Sequence, residues 1–361
     1  MFFNKYIKKL CIEEGFMIKL NKAKKRFQYG KIFYSVILLK AVFIFISCNY
    51  KIVPYKEAGK ENSSEIKVVH SDDFVEITPP VSGIIGKGNQ GVFVQGRTVM
   101  LSDYAMDKYE LSYKLWYEVK EWAKNNGYEF ANKGREGFKG IDGALPAAGV
   151  NVPVTNINWR DAIVWCNAYT EKVLGQNFCV YTYQGKILKS AEKYDGAASA
   201  IGAFWADKAE CNLEKKGYRL PTEAEWEFAA RGGWQNKPDW DFKYAGSDSP
   251  DDVAWYKENS EYKTHESGKK QANTLGIFDM SGNVYEWCFN RLGVPKAETV
   301  INPIGDKTVT YRAFRGGSSN YVKEHCTVYC RPNALSQETN PQSLNPDKKK
   351  PTLGFRLVRT K

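Results

Sequence analysis

Only three stretches of this chain carry a helical hydrophobic repeat, and long runs of Gly, Pro, Asn, Asp and Ser lie between them. Residues 112–126 open on a Ser N-cap, space Leu115, Trp116, Val119, Trp122 and Ala123 along one face, and stop at Gly127. Residues 158–174 are capped by Asn158, carry Asp161 in the first turn and end at Gly175. Residues 222–231 begin with the capping box Thr222-x-x-Glu225 and run into Gly232-Gly233. Short β-rich runs such as 99–101, 311–314 and 355–358 punctuate the remainder, while 131–150, 232–252 and 318–352 have no period at all. Buried main-chain groups must be paired, so this much irregular backbone predicts loops packed and hydrogen-bonded like regular elements. Nothing between Val81 and Lys361 separates two cores. The pattern predicts one loop-rich domain of mixed helix and strand.

The formal net charge of +11 invites a nucleic-acid reading, but ten of the basic residues lie between Lys5 and Lys40. The remainder is nearly balanced and lacks the electrostatic footprint that phosphate binding needs, so nucleic acid is not an expected partner. At 43% hydrophobic and 26% charged, the composition excludes wholesale disorder. The basic segment 19–31 precedes an apolar run, 32–47, broken only by Lys40 and ending in Phe45-Ile46-Ser47-Cys48. That arrangement is a secretory signal. With Cys48 at the break it resembles a bacterial lipoprotein signal, whose Cys is lipidated as the first mature residue; Met17 is then a plausible start. Sixteen residues around a Lys fall short of the roughly twenty that span a bilayer. Residues 1–48 are therefore expected to be a signal peptide with a lipobox. Residues 49–80, rich in Lys, Glu and Ser and closed by Pro79-Pro80, are expected to be a flexible tether for a domain at 81–361. The expected location is outside the cytoplasm, lipid-anchored at the outer membrane or cell surface.

Three scattered histidines, His70, His265 and His325, supply neither metal-ligand spacing nor a serine triad, and no Gly-rich loop opens a helix. Setting aside Cys11 and Cys48, six cysteines remain: Cys166, Cys179, Cys211, Cys288, Cys326 and Cys330. They permit up to three disulfides in fifteen connectivities, although Cys166, beside Trp165 on a helix, reads better as a buried small hydrophobe. The informative strings come late. They are GYRLPTEAEWEFAARGG from Gly217, LGIFDMSGNVYEW from Leu275, RAFRGGS from Arg312 and LGFRLV from Leu353, preceded by MDKYE from Met106 and PVTNINW from Pro153. In this order they closely resemble the formylglycine-generating-enzyme, or sulfatase-modifying-factor, family. The resemblance implies a C-type-lectin-like α+β fold, with a small twisted antiparallel sheet, helices and long loops.

Enzymes of that family oxidise a substrate cysteine with copper held by two cysteines. Soft thiolates are the natural Cu(I) ligands, so losing one abolishes the site. Here the two positions fall on Tyr321 and Cys326, and Cys330 departs from the family spacing. The resemblance thus implies a non-catalytic member with no required cofactor. It also implies a structural calcium at Asp279, Gly282, Val284 and Glu286, two carboxylates and two carbonyls suiting a hard cation. A second family calcium site is lost where Val253 replaces a ligating Asn.

The edges of the 319–352 stretch match the family and its interior does not. A family scaffold with a divergent C-terminal loop resembles the variable proteins of diversity-generating retroelements, among them a Treponema lectin-fold lipoprotein. In those proteins adenine-directed copying randomises chosen codons. Asn320, Tyr321, Val322, His325, Asn333, Ala334, Leu335 and Ser336 are all reachable from an Asn codon by changing adenines alone. The expected ligand site comprises these residues with Lys323, Glu324 and Tyr329. Tyr321 and Tyr329 are its anchors, and its ligand is a protein or other cell-surface molecule. An active oxidase and a ligandless envelope lipoprotein are the competing readings. For the anchor, stable attachment takes more than one acyl chain, each buried CH₂ contributing about 0.8 kcal/mol. Cys48→Ala should move the protein from the detergent phase to the soluble fraction; continued detergent partitioning would reject the lipobox.

Overall fold

In the computed structural model the three capped segments are helices, each starting one residue after its cap. The structure describes residues 73–192, 204–306, 308, 309, 311–331 and 349–361. Cys48 and its signal, most of the tether, and Asn333, Ala334, Leu335 and Ser336 lie outside the described residues. Helix α1 is Tyr113–Lys124, with Ser112 accepting from the Leu115 amide. Helix α2 is Trp159–Leu174 and α3 is Glu223–Ala230, both with reciprocal capping boxes, Asn158 with Asp161 and Thr222 with Glu225.

The strands that position the site are β1 (Phe74–Ile77), β2 (Tyr104–Asp107), β3 (Tyr218–Arg219), β4 (Tyr285–Arg291), β5 (Arg312–Arg315), β6 (Leu353–Gly354) and β7 (Val358–Thr360). Four of them form one antiparallel sheet in the order β1–β2–β7–β3. The other three form a second sheet in the order β5–β4–β6, with β4 antiparallel to β5 and parallel to β6. The expected α+β, loop-rich architecture is the one observed.

Two expectations are corrected. The assigned tether contains β1, whose Phe74 to Ile77 pair in register with Asp107 to Tyr104. Phe74, Val75 and Ile77 around exposed Glu76 make a short edge strand that the surrounding Lys/Glu-rich composition conceals. The expected strand at 355–358 is split instead. Phe355, Arg356 and Leu357, all buried, lie between β6 in one sheet and β7 in the other.

The core is aromatic. Trp116, Trp159, Trp165, Trp226 and Trp287 have no solvent exposure. Trp116 stacks on Trp165 at 6.0 Å between ring centres, and Phe355 meets both rings edge-on. The irregular 131–150 segment packs tightly on this cluster. Gly134 has a φ of +76°, and a Cβ there would lie 2.3 Å from the Trp116 indole nitrogen, so only glycine fits. Buried Asp161 pins the same segment, accepting from the Ala131 amide at 2.8 Å and the Asn132 side chain at 2.6 Å. The long loops are thus hydrogen-bonded into the core as regular elements are. All six domain cysteines are free thiols, and Cys166 is fully buried among apolar neighbours.

Candidate functional site

The RAFRGGS string builds the base of the site. Arg315, at the end of β5, is fully buried and reaches Glu227 of α3 at 2.5 Å. Its two amino groups also bind the carbonyls of Val328 at 2.9 Å and Cys330 at 2.8 Å, which fastens the far side of the loop. Gly316 and Gly317 both take positive φ. A Cβ on Gly317 would come 2.5 Å from the Cys326 sulfur, so the turn closes only with glycine there.

Beyond this turn the chain runs over β4. The Ser319 amide donates to the Asn283 carbonyl at 2.9 Å, and the Lys257 backbone amide donates to the Tyr321 carbonyl at 3.0 Å. Asn320, Val322, Lys323 and Glu324 are exposed; Tyr321, His325 and Tyr329 are half-buried. The Tyr321 ring meets Tyr285 edge-on at 5.2 Å and His325 at 5.3 Å, and the Tyr285 hydroxyl lies 2.9 Å from His325 Nδ1. Lys350 covers the Tyr321 ring from the returning chain and bonds its hydroxyl at 3.4 Å. Tyr329 sits under the Arg231 guanidinium at the end of α3. The structure therefore brings Asn320 to His325 together as one raised turn. Tyr321 is packed within that turn, whereas the ring contact of Tyr329 is with Arg231. Lys257 and Lys350 were not expected in the site. Only the fold carries Lys350 to Tyr321.

The donors for copper are not assembled. Tyr321 holds the first ligand position as a packed ring. Cys326 is fully buried beside Tyr244, Val253, Ala254 and Tyr256, and burial holds its thiol protonated, well above the ordinary range. Burial likewise pushes Cys330 up to about 11. A pair of thiolates at neutral pH is the opposite of what this environment stabilises.

The calcium expectation also meets a different arrangement. Both oxygens of buried Glu286 are taken, by Arg356 at 2.6 and 2.7 Å and by the Trp226 indole at 2.7 Å. Val284 donates its amide to Glu110 at 3.0 Å. Asp279 accepts from the Gly268 amide at 2.6 Å, leaving one buried oxygen without a partner. The Arg356 guanidinium already balances the Glu286 carboxylate, so Glu286 as it stands does not fit the part of a calcium ligand. The partners of Glu286 are side chains and not the backbone of its turn.

A profile of the sulfatase-modifying factor enzyme 1-like domain matches residues 82–361. The chain belongs to this family. It is 32% identical over 282 residues to chaperone protein LppX of Paenibacillus barcinonensis, covering 73% of this chain and 83% of that one. It is 35% identical over 152 residues to the formylglycine-generating enzyme of Bos taurus, 39% of each chain. Among solved structures it is similar to Treponema denticola variable protein 1, with 31% identity, a TM-score of 0.60, and 80% of this chain and 95% of that one covered. The structure of CarF is similar at 25% identity and a TM-score of 0.56, covering 80% of this chain and 98% of that one. Both the family and the likeness to the Treponema denticola variable protein agree with the motifs. No helix among the described residues is long and apolar enough to cross a membrane.

Around the Glu286 pair, burial raises several carboxyls: Asp107 to about 7, Asp279 to about 6, and Glu110 well above its ordinary value. Unfolded, such groups ionise near pH 4. From about pH 4 to 7 the folded chain therefore holds protons that the unfolded chain has lost, and their contribution to stability falls as pH rises. Asp107→Asn keeps an acceptor for the Tyr109 amide and removes one titration. Its melting temperature should vary less than that of the native chain from about pH 4 to 7. Parallel profiles by circular dichroism would show that Asp107 is not responsible.

Proposed function

We propose that this protein is a non-catalytic, surface-displayed lipoprotein that recognises a protein or other cell-surface ligand through the raised turn at Asn320 to His325. The observation that carries the reading is Tyr321. It occupies the first copper-ligand position of the family as a ring packed by Tyr285, His325 and Lys350, and it underlies a contiguous exposed set, Asn320, Val322, Lys323 and Glu324. Rigid aromatic support beneath adaptable polar groups suits recognition. The likeness to Treponema denticola variable protein 1 supports the same reading. Tyr329 and residues 333–336 belong to the proposed site, diversified by a retroelement, and Cys48 is its lipid anchor. No cofactor takes part.

A second reading, binding of protein clients as a chaperone, is favoured by the likeness to LppX over 83% of that protein. It uses the same face and differs in accepting unfolded clients.

The experiment replaces Asn320, Val322, Lys323 and Glu324 together with Ala, then measures melting and the capture of biotinylated cell-surface proteins by the immobilised chain. Stability should change by no more than about 0.5 kcal/mol per exposed position. Capture should weaken by about 2 kcal/mol or more when the contact is central. An unfolded variant would make the turn structural, and a folded variant with native capture would place the site elsewhere. Capture of only denatured proteins would favour the chaperone reading, and conversion of a cysteine peptide to formylglycine with added copper would restore the oxidase.

A further inference from the structure

Two arginines face each other across the second sheet, and among the described residues neither is ion-paired with a carboxylate. Arg291 of β4 stands opposite Arg312 of β5 in the antiparallel register, a position in which like charges repel. Arg312 is 2% exposed. It donates only to main-chain carbonyls, of Phe289 at 3.0 Å and Asp207 at 3.4 Å, and its Nε has no partner. Arg291 does likewise, to Val309 and Asp207, both at 2.8 Å. The Asp207 carboxylate is held by Arg160 through bonds of 2.7 and 2.9 Å.

The contrast with the rest of the interior is sharp. Arg160, Arg219, Arg315 and Arg356 are equally buried, and each is paired with an acid within 2.7 Å. Buried charges are ordinarily paired in this way. Arg312 lies 3.5 Å over the Trp159 ring, which offsets part of its charge. Burial and the neighbouring Arg291 nevertheless push it below its ordinary basicity.

Both arginines border one cavity of about 350 Å³. Lys208 adds a third cation to the lining, Glu210 is its one acid, and Phe289 and Ile304 supply apolar wall. We propose that this cavity binds a small organic anion, its carboxylate or phosphate head held by Arg291 and Arg312 and its apolar body resting on Phe289 and Ile304. Guanidinium donors match either head group, and an anion there would remove the repulsion between the two arginines. The site is separate from the raised turn and does not depend on its function.

The test uses the full chain with benzoate and phenyl phosphate as probes, benzamide as the neutral control and KCl to match ionic strength. Calorimetry and melting should show saturable binding of at least one anion and none of benzamide. The preferred anion identifies the head group as carboxylate or phosphate. Arg291→Gln should weaken that binding about tenfold or more, the loss of a charge-assisted bond, and the exposed Lys208→Gln should weaken it measurably without altering the fold. The proposal is overturned if neither anion binds saturably or if benzamide binds as well. It is also overturned if Lys208→Gln and a folded Arg291→Gln both keep native affinity. If Arg291→Gln fails to fold, Lys208→Gln alone decides by the same criterion.

Discussion

Every N–H of Arg356 is engaged. Nε and one amino group bind Glu286, and the remaining donors reach the carbonyls of Asp107, Lys108 and Phe278 at 2.9 to 3.3 Å. Glu286 in turn accepts from Trp226. One buried pair therefore joins the end of β2, strand β4, helix α3 and the chain that passes from β6 to β7. Those are the places where the family motifs lie. Burying a guanidinium is costly unless its charge is met, and removing one partner of such a pair strands the other. Arg315 with Glu227 repeats the device one strand away, and there it ties down the loop that carries the proposed ligand site.

That placement explains how a scaffold can remain intact while its surface departs from its enzymatic relatives. The pairs that hold the sheets are internal, and the loop touches them through main-chain carbonyls, which any side chain supplies. The carbonyls that Arg315 binds belong to Val328 and Cys330, outside the exposed residues Asn320, Val322, Lys323 and Glu324. The same economy removes the chemistry of the enzymes. The first thiolate position is a tyrosine ring, the second is a thiol kept protonated by burial, and Glu286 is paired with Arg356.

The helices were legible because their signals are local: Ser112, Asn158 and Thr222 each bond an amide within three residues. The family and the α+β class followed from motifs read in order. Strand β1 was not legible, since four residues in a Lys/Glu-rich segment become a strand only when Tyr104 to Asp107 lie alongside. The pairing of Glu227 with Arg315 and of Glu286 with Arg356 was not legible in the sequence, because each pair spans tens of residues. The burial of Tyr321 against Tyr285 and the opposition of Arg291 to Arg312 are likewise consequences of sheet register, which one-dimensional spacing does not contain.

The measurement that tests this account most directly is a double-mutant cycle on the central pair, Arg356→Met and Glu286→Gln, by urea unfolding. Each single change strands a buried partner and should cost about 3–5 kcal/mol, while the double variant should cost far less than their sum. Single losses below about 1 kcal/mol, or strictly additive losses, would contradict the claim that this pair holds the fold together.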